Sequence, residues 1–369
     1  MRQEMELIWQ VLMALGVSLV ATLILTPLVR RLAITVGAVD VPKDNRRMHK
    51  KPIPTIGGLA FFIGFLISVV LFVDIDKPLQ GILLGSVVLV VLGVLDDIMD
   101  LPAKLKFVVQ FGAAGIAVAH GCVIETFSNP LPFGGDYINL GWAAIPVTLI
   151  WIVALTNAVN FIDGLDGLAA GVSAISAGTM LVIALMYSES SVALVIAALL
   201  GACLGFLPFN FNPAKIFMGD TGATFLGFLL ATMSVQGLFK YYAIVSFAVP
   251  FLMLGVPIFD ICFAFLRRIA HGQNPMVADR SHMHHRLIDM GFSQKQTVAI
   301  AYVISALLGL SAVVLASSNE IRSLILIGAI IVIGAVGLKV VFNTKKHEMQ
   351  QHEAEAAAVG IQEESHENS

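Results

Sequence analysis

The chain has 369 residues, of which 57% are hydrophobic and 13% are charged. Soluble globular proteins carry about a quarter charged residues, and the mean hydropathy of +0.88 excludes both a single soluble domain and a disordered chain. The three cysteines form no CxxC pair, so the sequence offers no disulfide framework. The net charge of −3 does not indicate a nucleic-acid partner, because the tail 343–369 alone carries −4.

Apolar stretches of about 20 residues, the length that crosses a bilayer, recur along the whole chain. Eleven are predicted as transmembrane helices, at 6–27, 53–73, 79–95, 105–121, 142–160, 167–187, 190–208, 222–238, 243–266, 297–317 and 321–342. The first lacks a small-residue cleavage site and is interpreted as a span, not a signal peptide. We expect an all-α polytopic membrane protein, with a transmembrane domain over 1–342 and an acidic, disordered tail over 343–369.

Lys and Arg residues orient these spans. With the N-terminus outside, 18 of them lie on the cytoplasmic side and four lie outside. The positive-inside rule therefore predicts an outer N-terminus and a cytoplasmic C-terminus. Five polar loops then share the cytoplasmic side, at 36–52, 96–104, 160–166, 210–221 and 267–296. The longest outer loop, 122–140, is predicted to form turns or a small hairpin, because it is rich in Pro, Gly and Asn.

The third predicted span ends in two adjacent carboxylates, Asp96 and Asp97. Carboxylates at a helix C-terminus face the negative end of the helix dipole, and adjacent carboxylates repel each other. A carboxylate pair that is kept despite the unfavourable dipole and the mutual repulsion is typical of a site that binds a cation or abstracts a proton. A solvated helix end is the alternative interpretation.

The fifth predicted span ends in a segment of Asn, Asp and Gly. Asn157 and Asn160 share one helix face at a spacing of three, and Asp163 and Asp166 repeat that spacing. An EF-hand would need acidic residues at alternate positions and a terminal Glu, so this segment is not one. Four polar side chains beside an apolar span favour a ligand-binding turn over an ordinary Gly/Asp turn.

The loop after the seventh span carries Phe217 and Asp220, just before the next predicted helix. Asp220 is a candidate N-cap. It is equally a hard oxygen ligand that, together with Asn160, would hold Mg²⁺ on a substrate diphosphate. Phe217 is either a lipid-facing anchor or a ring on which a nucleobase stacks. The residues alone leave both alternatives open.

Two further inner loops carry basic and imidazole side chains. The cluster in the last of them consists of His282, His284, His285 and Arg286. No cysteine or fourth ligand lies at zinc spacing, so this cluster is interpreted as a phosphate-binding group and not as a zinc site. The first inner loop adds His49 and Lys51, which either mark topology, bind anionic lipid headgroups or reach the same site.

Taken together, the inner loops resemble the polyprenyl-phosphate N-acetylhexosamine-1-phosphate transferases over about residues 10–340. The likeness rests on four motifs in order: Asp-Asp at 96–97, Asn-Ala-x-Asn-x-x-Asp-Gly-x-Asp-Gly at 157–167, Phe-x-Gly-Asp-x-Gly at 217–222 and His-x-His-His-Arg at 282–286. The last motif resembles the N-acetylglucosamine branch of the family, in particular the Gram-positive undecaprenyl-phosphate enzymes that start teichoic acid linkage units.

The resemblance implies transfer of N-acetylglucosamine 1-phosphate from UDP-N-acetylglucosamine to undecaprenyl phosphate, with release of UMP, as the first membrane step of a cell-wall polymer. The domain 1–342 would be catalytic, with its site on the cytoplasmic face of the cell membrane and in contact with membrane lipids. Phosphoryl transfer between two anions depends on positioning and charge neutralisation. The implied cofactor is Mg²⁺, replaceable by Mn²⁺, and a homodimer is left open.

The resemblance also implies roles for the candidate residues. Asp220 binds the metal with Asn160 as second ligand. One of Asp96 and Asp97 deprotonates or orients the lipid phosphate, while the other tunes it electrostatically. Asp163 and Asp166 are expected to hold the nucleotide, and the Phe217 ring is expected to stack on uracil. The other candidates are also expected to bind substrate: Asn157, His49, Lys51, His282, His284, His285 and Arg286.

Other functions fit part of the pattern. The same chemistry would serve another UDP-N-acetylhexosamine. From a different class, a secondary transporter of anionic substrates would carry its charges near the bilayer midplane. The acidic residues instead cluster at one face, and the helix centres are almost free of charge. Asp260, near the inner end of the ninth span, is the exception. A non-catalytic scaffold for wall synthesis would show no turnover despite intact motifs.

Overall fold

The computed structural model describes residues 2–41, 51–128, 137–187, 189–239, 248–270 and 283–317, together with Gly328. The described residues are almost entirely helical. The twelve α-helices are α1 (Arg2–Val36), α2 (Gly58–Phe72), α3 (Lys77–Met99), α4 (Ala103–Ala119), α5 (Ala144–Ile162), α6 (Leu168–Met186), α7 (Ser190–Asn210), α8 (Gly219–Ser234), α9 (Ala248–Met253), α10 (Gly255–Ala270), α11 (Met283–Asp289) and α12 (Gln294–Ala316).

Two small antiparallel sheets lie in the loops. Strand β1 (Val39–Asp40) pairs with β2 (Ile53–Pro54), and β3 (Thr126–Ser128) pairs with β4 (Tyr137–Asn139). The second pair confirms the hairpin that the Pro, Gly and Asn content of 122–140 predicts. The first pair was not expected from hydropathy.

Six of the described helices are long and apolar enough to cross a membrane: α1, α3, α5, α6, α7 and α12. Helix α2 is apolar but shorter. Each of the first ten expected spans overlaps a described helix, which confirms an all-α membrane protein. The eleventh expected span, 321–342, and the tail 343–369 lie outside the described residues. The count of eleven and the orientation therefore stay predictions.

Three expected spans differ most from the structure. Helix α1 continues past the expected end at 27 to Val36. The second helix begins at Gly58 and not at 53, because Ile53–Pro54 pairs with β1 as a strand. The ninth expected span is divided between α9 and α10. Pro257 lies in the first turn of α10, where its missing N–H removes no helical hydrogen bond.

Helix α8 forms the core of the bundle. Every residue from Thr221 to Ser234 is buried, with α2, α3 and α5 packed around the helix. Gly58 on α2 and Gly93 on α3 contact the backbone of the first α8 turn so closely that a Cβ at either position would overlap it. Small residues permit this approach between apolar helices. The first turn of α8 is thereby fixed beside the end of α3.

Candidate active site

The polar ends of α3, α5, α7 and α8 meet at an open cavity of about 1280 Å³. A site for one small ligand usually occupies about 300–1,000 Å³, so this cavity has room for two substrates side by side. Most of the predicted site residues lie on its wall: Lys51, Asp96, Asp97, Asn160, Asp163, Asp166, Phe217, Asp220 and His285. Residues from five separate loops therefore line one cavity.

Asp97 lies against the N-terminus of α8. Its carboxylate accepts hydrogen bonds from the backbone N–H groups of Asp220 (3.0 Å) and Thr221 (3.2 Å) and from the Thr221 hydroxyl (2.7 Å). The free N–H groups and the dipole of a helix start stabilise a carboxylate placed there. The penalty that Asp97 incurs at the end of α3 is thus offset by the start of α8. Asp220 is not the N-cap, which is Met218, but belongs to the first turn.

Lys106 on α4 connects two of the predicted acidic residues. Its Nζ donates to Asp96 Oδ2 at 2.9 Å and to Asp220 Oδ2 at 3.0 Å. Asp96 also accepts from the Leu101 N–H at 2.8 Å and is only 9% exposed. The Asp-Asp pair is therefore not a solvated helix end. We name Asp96, Asp97, Lys106 and Asp220 the charge junction.

From the sequence alone Lys106 is only one of the 18 cytoplasmic cations that indicate topology. Its ionic role follows from the short connection between α3 and α4, which places the start of α4 next to the end of α3. Lys106, in the first turn of α4, can therefore reach the carboxylate at the end of α3. This signal was present in the sequence, since Lys106 lies ten residues after Asp96.

The turn between α5 and α6, residues 163–167, is named the acidic turn. Gly167 adopts a positive φ of 80°, which glycine accommodates at no steric cost. Its N–H donates to Asn210 Oδ1 at 3.1 Å, and its carbonyl accepts from the Tyr302 hydroxyl. Asn210 ends α7 and Tyr302 lies on α12. Two distant helices therefore fix the end of the acidic turn.

The two carboxylates of the acidic turn have different surroundings. Asp166 Oδ2 accepts from Asn212 Nδ2 at 2.9 Å and from the Ala214 N–H at 3.0 Å, which fixes its direction. Burial raises the pKa of Asp163 well above its ordinary value, and the negative charges of Asp220 and Asp97 raise it further. An approaching cation would oppose these effects and favour the ionised form of Asp163.

Asn157 does not line the cavity. Its Nδ2 donates to Gln110 Oε1 at 2.6 Å and to the Val153 carbonyl at 2.8 Å. The expected contact of Asn157 with substrate stays a prediction, and its side chain joins α5 to α4 away from the cavity wall. Asn157 is kept off the cavity wall because it lies one helical turn before Asn160, and only the end of α5 reaches the cavity, through Asn160.

The histidine cluster contributes one described residue to the cavity wall, His285. His284 is 2% exposed and its ring packs directly against Gly164 of the acidic turn. The guanidinium of Arg286 lies 4.8 Å from the ring centre of Phe263 on α10. His284 and Arg286 thus connect α11 to the acidic turn and to α10, and neither lies on the cavity wall. Their expected contact with substrate stays a prediction. His49 and His282 lie outside the described residues.

The oxygen atoms on the cavity wall include types that commonly bind a metal ion. Among the described residues, no three His, Cys, Asp or Glu side chains converge as a complete metal cage. Mg²⁺ is commonly held by one or two carboxylates, while substrate phosphates and water complete its shell. Asp220, Asp163 and Asn160 provide hard oxygen donors on one wall. This set fits Mg²⁺ that is bound together with a diphosphate.

Basic side chains also border the cavity, and they suit anionic substrates. Those described on its wall are Arg30, Lys51, Lys106 and Lys215. Phe217 is held there by the edge of the first sheet, because its N–H donates to the Pro54 carbonyl at 2.9 Å. The cavity therefore combines cations, clustered carboxylates and one aromatic ring at the ends of apolar helices.

Known proteins are similar in sequence to this chain. Residues 79–238 match the family described as glycosyl transferase family 4, a segment that contains the charge junction and the acidic turn. The chain is 43% identical to the probable undecaprenyl-phosphate N-acetylglucosaminyl 1-phosphate transferase of Bacillus subtilis, over 88% of the chain and 90% of that protein. It is 33% identical to the decaprenyl-phosphate N-acetylglucosaminephosphotransferase of Mycobacterium tuberculosis, over 84% of each. The undecaprenyl-phosphate alpha-N-acetylglucosaminyl 1-phosphate transferase of Yersinia pestis is 30% identical over 77% of the chain and 79% of that protein.

Proposed function

The chain belongs to glycosyl transferase family 4, and from this membership we propose that it transfers N-acetylglucosamine 1-phosphate from UDP-N-acetylglucosamine to undecaprenyl phosphate. The products are undecaprenyl-diphospho-N-acetylglucosamine and UMP. The observation that carries the proposal is the position of the charge junction, which borders a two-substrate cavity at the ends of membrane helices. One substrate is soluble and the other is a lipid, so the site must be open to both phases.

In the reaction, undecaprenyl phosphate replaces UMP in the phosphoanhydride bond to the β-phosphorus. An oxygen of undecaprenyl phosphate attacks the β-phosphorus of the nucleotide sugar and forms a new P–O bond. The bond between the β-phosphorus and the bridging oxygen breaks, and UMP leaves with that oxygen. Little covalent chemistry is required of the protein, so its contribution is to position two anions in line and to neutralise their charge.

The contacts of the two adjacent carboxylates support different roles. Both oxygens of Asp97 are bonded to the first turn of α8, so Asp97 positions Asp220. Asp96 is paired with a lysine side chain, which can turn toward an incoming phosphate. We therefore assign Asp96 to the lipid phosphate, where it accepts a proton if the phosphate arrives as a monoanion. Lys106 then offsets charge on the transferred phosphoryl group.

Asp220 would hold Mg²⁺, with Asn160 and Asp163 as the further oxygen donors on the same wall. Bound with the diphosphate, the ion would neutralise charge on the β-phosphate. On the nucleotide side, the Phe217 ring offers a stacking face for uracil, and Asp166 is held in a fixed direction by Asn212. His285 and Lys51 are assigned to the diphosphate and sugar.

The cellular setting follows from the same features. The asymmetric distribution of Lys and Arg supports a site on the cytoplasmic face, where nucleotide sugars are available. Within the family, the His-x-His-His-Arg form at 282–286 favours N-acetylglucosamine as the sugar and a teichoic acid linkage unit as the destination of the product.

The proposal is tested with the purified full chain in detergent, supplied with undecaprenyl phosphate, Mg²⁺ and one nucleotide sugar at a time. We expect UMP release with UDP-N-acetylglucosamine and at least tenfold less with UDP-N-acetylgalactosamine or UDP-N-acetylmuramoyl-pentapeptide. Faster release with one of the other donors would replace the assigned sugar and keep the chemistry. No UMP with any donor, together with uptake of nucleotide sugar into proteoliposomes, would favour the transporter.

A further inference from the structure

Asp260 is a buried carboxylate that the proposed reaction does not use. It lies within α10, is 2% exposed and is absent from the cavity wall. Burial of a carboxylate away from water is costly unless hydrogen bonds compensate for it. Asp260 Oδ1 accepts from the Met283 N–H at 2.6 Å. Met283 is the first residue of α11, so a side chain of α10 caps the start of a helix 23 residues further along the chain.

Helix α11 depends on contacts from outside itself. It has seven residues, whereas isolated helices shorter than about 12–15 residues are marginal in water. Two of its contacts come from α10: the cap by Asp260, and the guanidinium of Arg286 over the Phe263 ring. Helix α10 packs in turn along α5, which leads into the acidic turn.

The position of α11 decides what its histidines contact. His284 is buried against Gly164 of the acidic turn, and the next residue, His285, lies on the cavity wall. Adjacent helical residues point about 100° apart. A rotation or a shift of one residue in α11 would therefore remove His285 from the wall and place another side chain against Gly164.

We propose that Asp260 is a positioning residue for nucleotide-sugar binding. By accepting the Met283 N–H it fixes the depth and rotation of α11, and through α11 it keeps His285 on the cavity wall. This role rests on the proposed function, in which His285 contacts the diphosphate or sugar. It also gives a purpose to Asp260, the acidic residue near the inner end of the ninth expected span.

The test compares Asp260→Asn with Asp260→Ala. Asn keeps an acceptor oxygen and caps helices about as well as Asp, whereas Ala removes the cap. We expect Asp260→Ala to raise the KM for UDP-N-acetylglucosamine about tenfold, the size expected for one lost cap. The kcat and the KM for undecaprenyl phosphate should change less than threefold. Asp260→Asn should stay within threefold of wild type, as should Asp289→Ala, a control at an exposed carboxylate at the end of α11.

A second variant addresses the other partner of the hydrogen bond. Met283→Pro removes the donor N–H at the first helical position, where proline is otherwise tolerated. It should reproduce the rise in KM even if Asp260→Ala cannot be purified as a folded protein. Calorimetric binding of UDP to wild type and variants requires no turnover. Loss of UDP affinity on Asp260→Ala and its retention on Asp260→Asn would therefore support the role of Asp260 even if the wild-type protein transferred no sugar phosphate.

Two results would overturn the proposal. If Asp260→Asn and Asp260→Ala lower kcat equally, the carboxylate charge acts directly and the cap is irrelevant. If Asp260→Ala and Met283→Pro both bind UDP as wild type does, the hydrogen bond does not position the site.

Discussion

The charge junction and the acidic turn border the same cavity, but they are held in opposite ways. In the charge junction three of the four ionised groups are partners of one another, because Lys106 bridges Asp96 and Asp220. In the acidic turn the backbone and Asp166 are held by uncharged groups from other elements, namely Asn210, Asn212, Ala214 and Tyr302.

This difference separates two tasks. Ion pairs that belong to the site itself must rearrange when an anionic substrate enters, so their members act on charge that changes during the reaction. A turn fixed by neutral hydrogen bonds keeps its shape while a ligand binds. We therefore expect changes in the charge junction to lower kcat and changes around the acidic turn to raise KM for the nucleotide sugar.

The largest effect is expected for Asp220→Asn. The amide preserves shape and one carbonyl oxygen but loses the charge that a diphosphate-bound cation needs. Turnover should fall at least about 10³-fold at ordinary Mg²⁺, as for loss of a central electrostatic contact. Asp74→Asn, at an exposed carboxylate beyond the opposite end of α3, should leave turnover unchanged. Near wild-type turnover by Asp220→Asn would remove Asp220 from the metal site.

Changing either Asp96 or Asp97 to Asn should lower kcat about 10²–10⁴-fold. Because Asp96 and Asp97 act on the same junction, the double variant should be little worse than the more damaged single one. Asp97→Asn should in addition alter the Mg²⁺ dependence, since Asp97 holds the turn that carries Asp220. Turnover at several Mg²⁺ concentrations distinguishes the two. Strictly multiplicative losses would show that the carboxylates act independently.

Lys106→Met should lower kcat about 10²-fold and leave the KM for the nucleotide sugar within a few-fold. The change removes the cation that Asp96 and Asp220 share, while it keeps a side chain of similar length. Lys106→Arg serves as the matched control that retains charge, and it should recover part of the activity. A rise in KM without a change in kcat for Lys106→Met would show that Lys106 binds the nucleotide sugar. It would contradict the expectation that changes in the charge junction lower kcat.

The smallest effect is expected from Tyr302→Phe, which removes only the hydroxyl that donates to Gly167. One neutral hydrogen bond contributes about 0.5–1.5 kcal/mol, so the KM for UDP-N-acetylglucosamine should rise about three- to tenfold while kcat stays constant. Tyr187→Phe removes a comparable hydroxyl, bonded to the Ala316 carbonyl and away from the cavity, and serves as control. A loss confined to kcat would contradict the assignment of the acidic turn to binding.

The sequence predicts much of this molecule. Hydropathy locates the helices because length and apolar content decide whether a segment can cross a bilayer. The asymmetry of Lys and Arg predicts that the polar loops share one side, and the four motifs contain eight of the nine predicted site residues that lie on the cavity wall.

Other features depend on packing that spacing does not specify. Asn157 shares a helix face with Asn160, but its side chain is bonded to Gln110 of α4 and does not line the cavity. Asp97 is satisfied by the start of a helix more than a hundred residues away. His284 packs inward because α10 fixes α11 at that depth. Such contacts between distant elements leave no periodic pattern in a single sequence.

The fate of two labels in the donor shows whether this protein transfers a sugar phosphate. UDP-N-acetylglucosamine with ³²P at the β-phosphate and ³H in the sugar is incubated with the purified protein, undecaprenyl phosphate and Mg²⁺, and the lipid is then extracted. We expect both labels to enter the lipid in equal amounts and the released UMP to carry neither. Tritium without ³²P in the lipid, or both labels left in the aqueous phase, would contradict transfer of a sugar phosphate by this cavity.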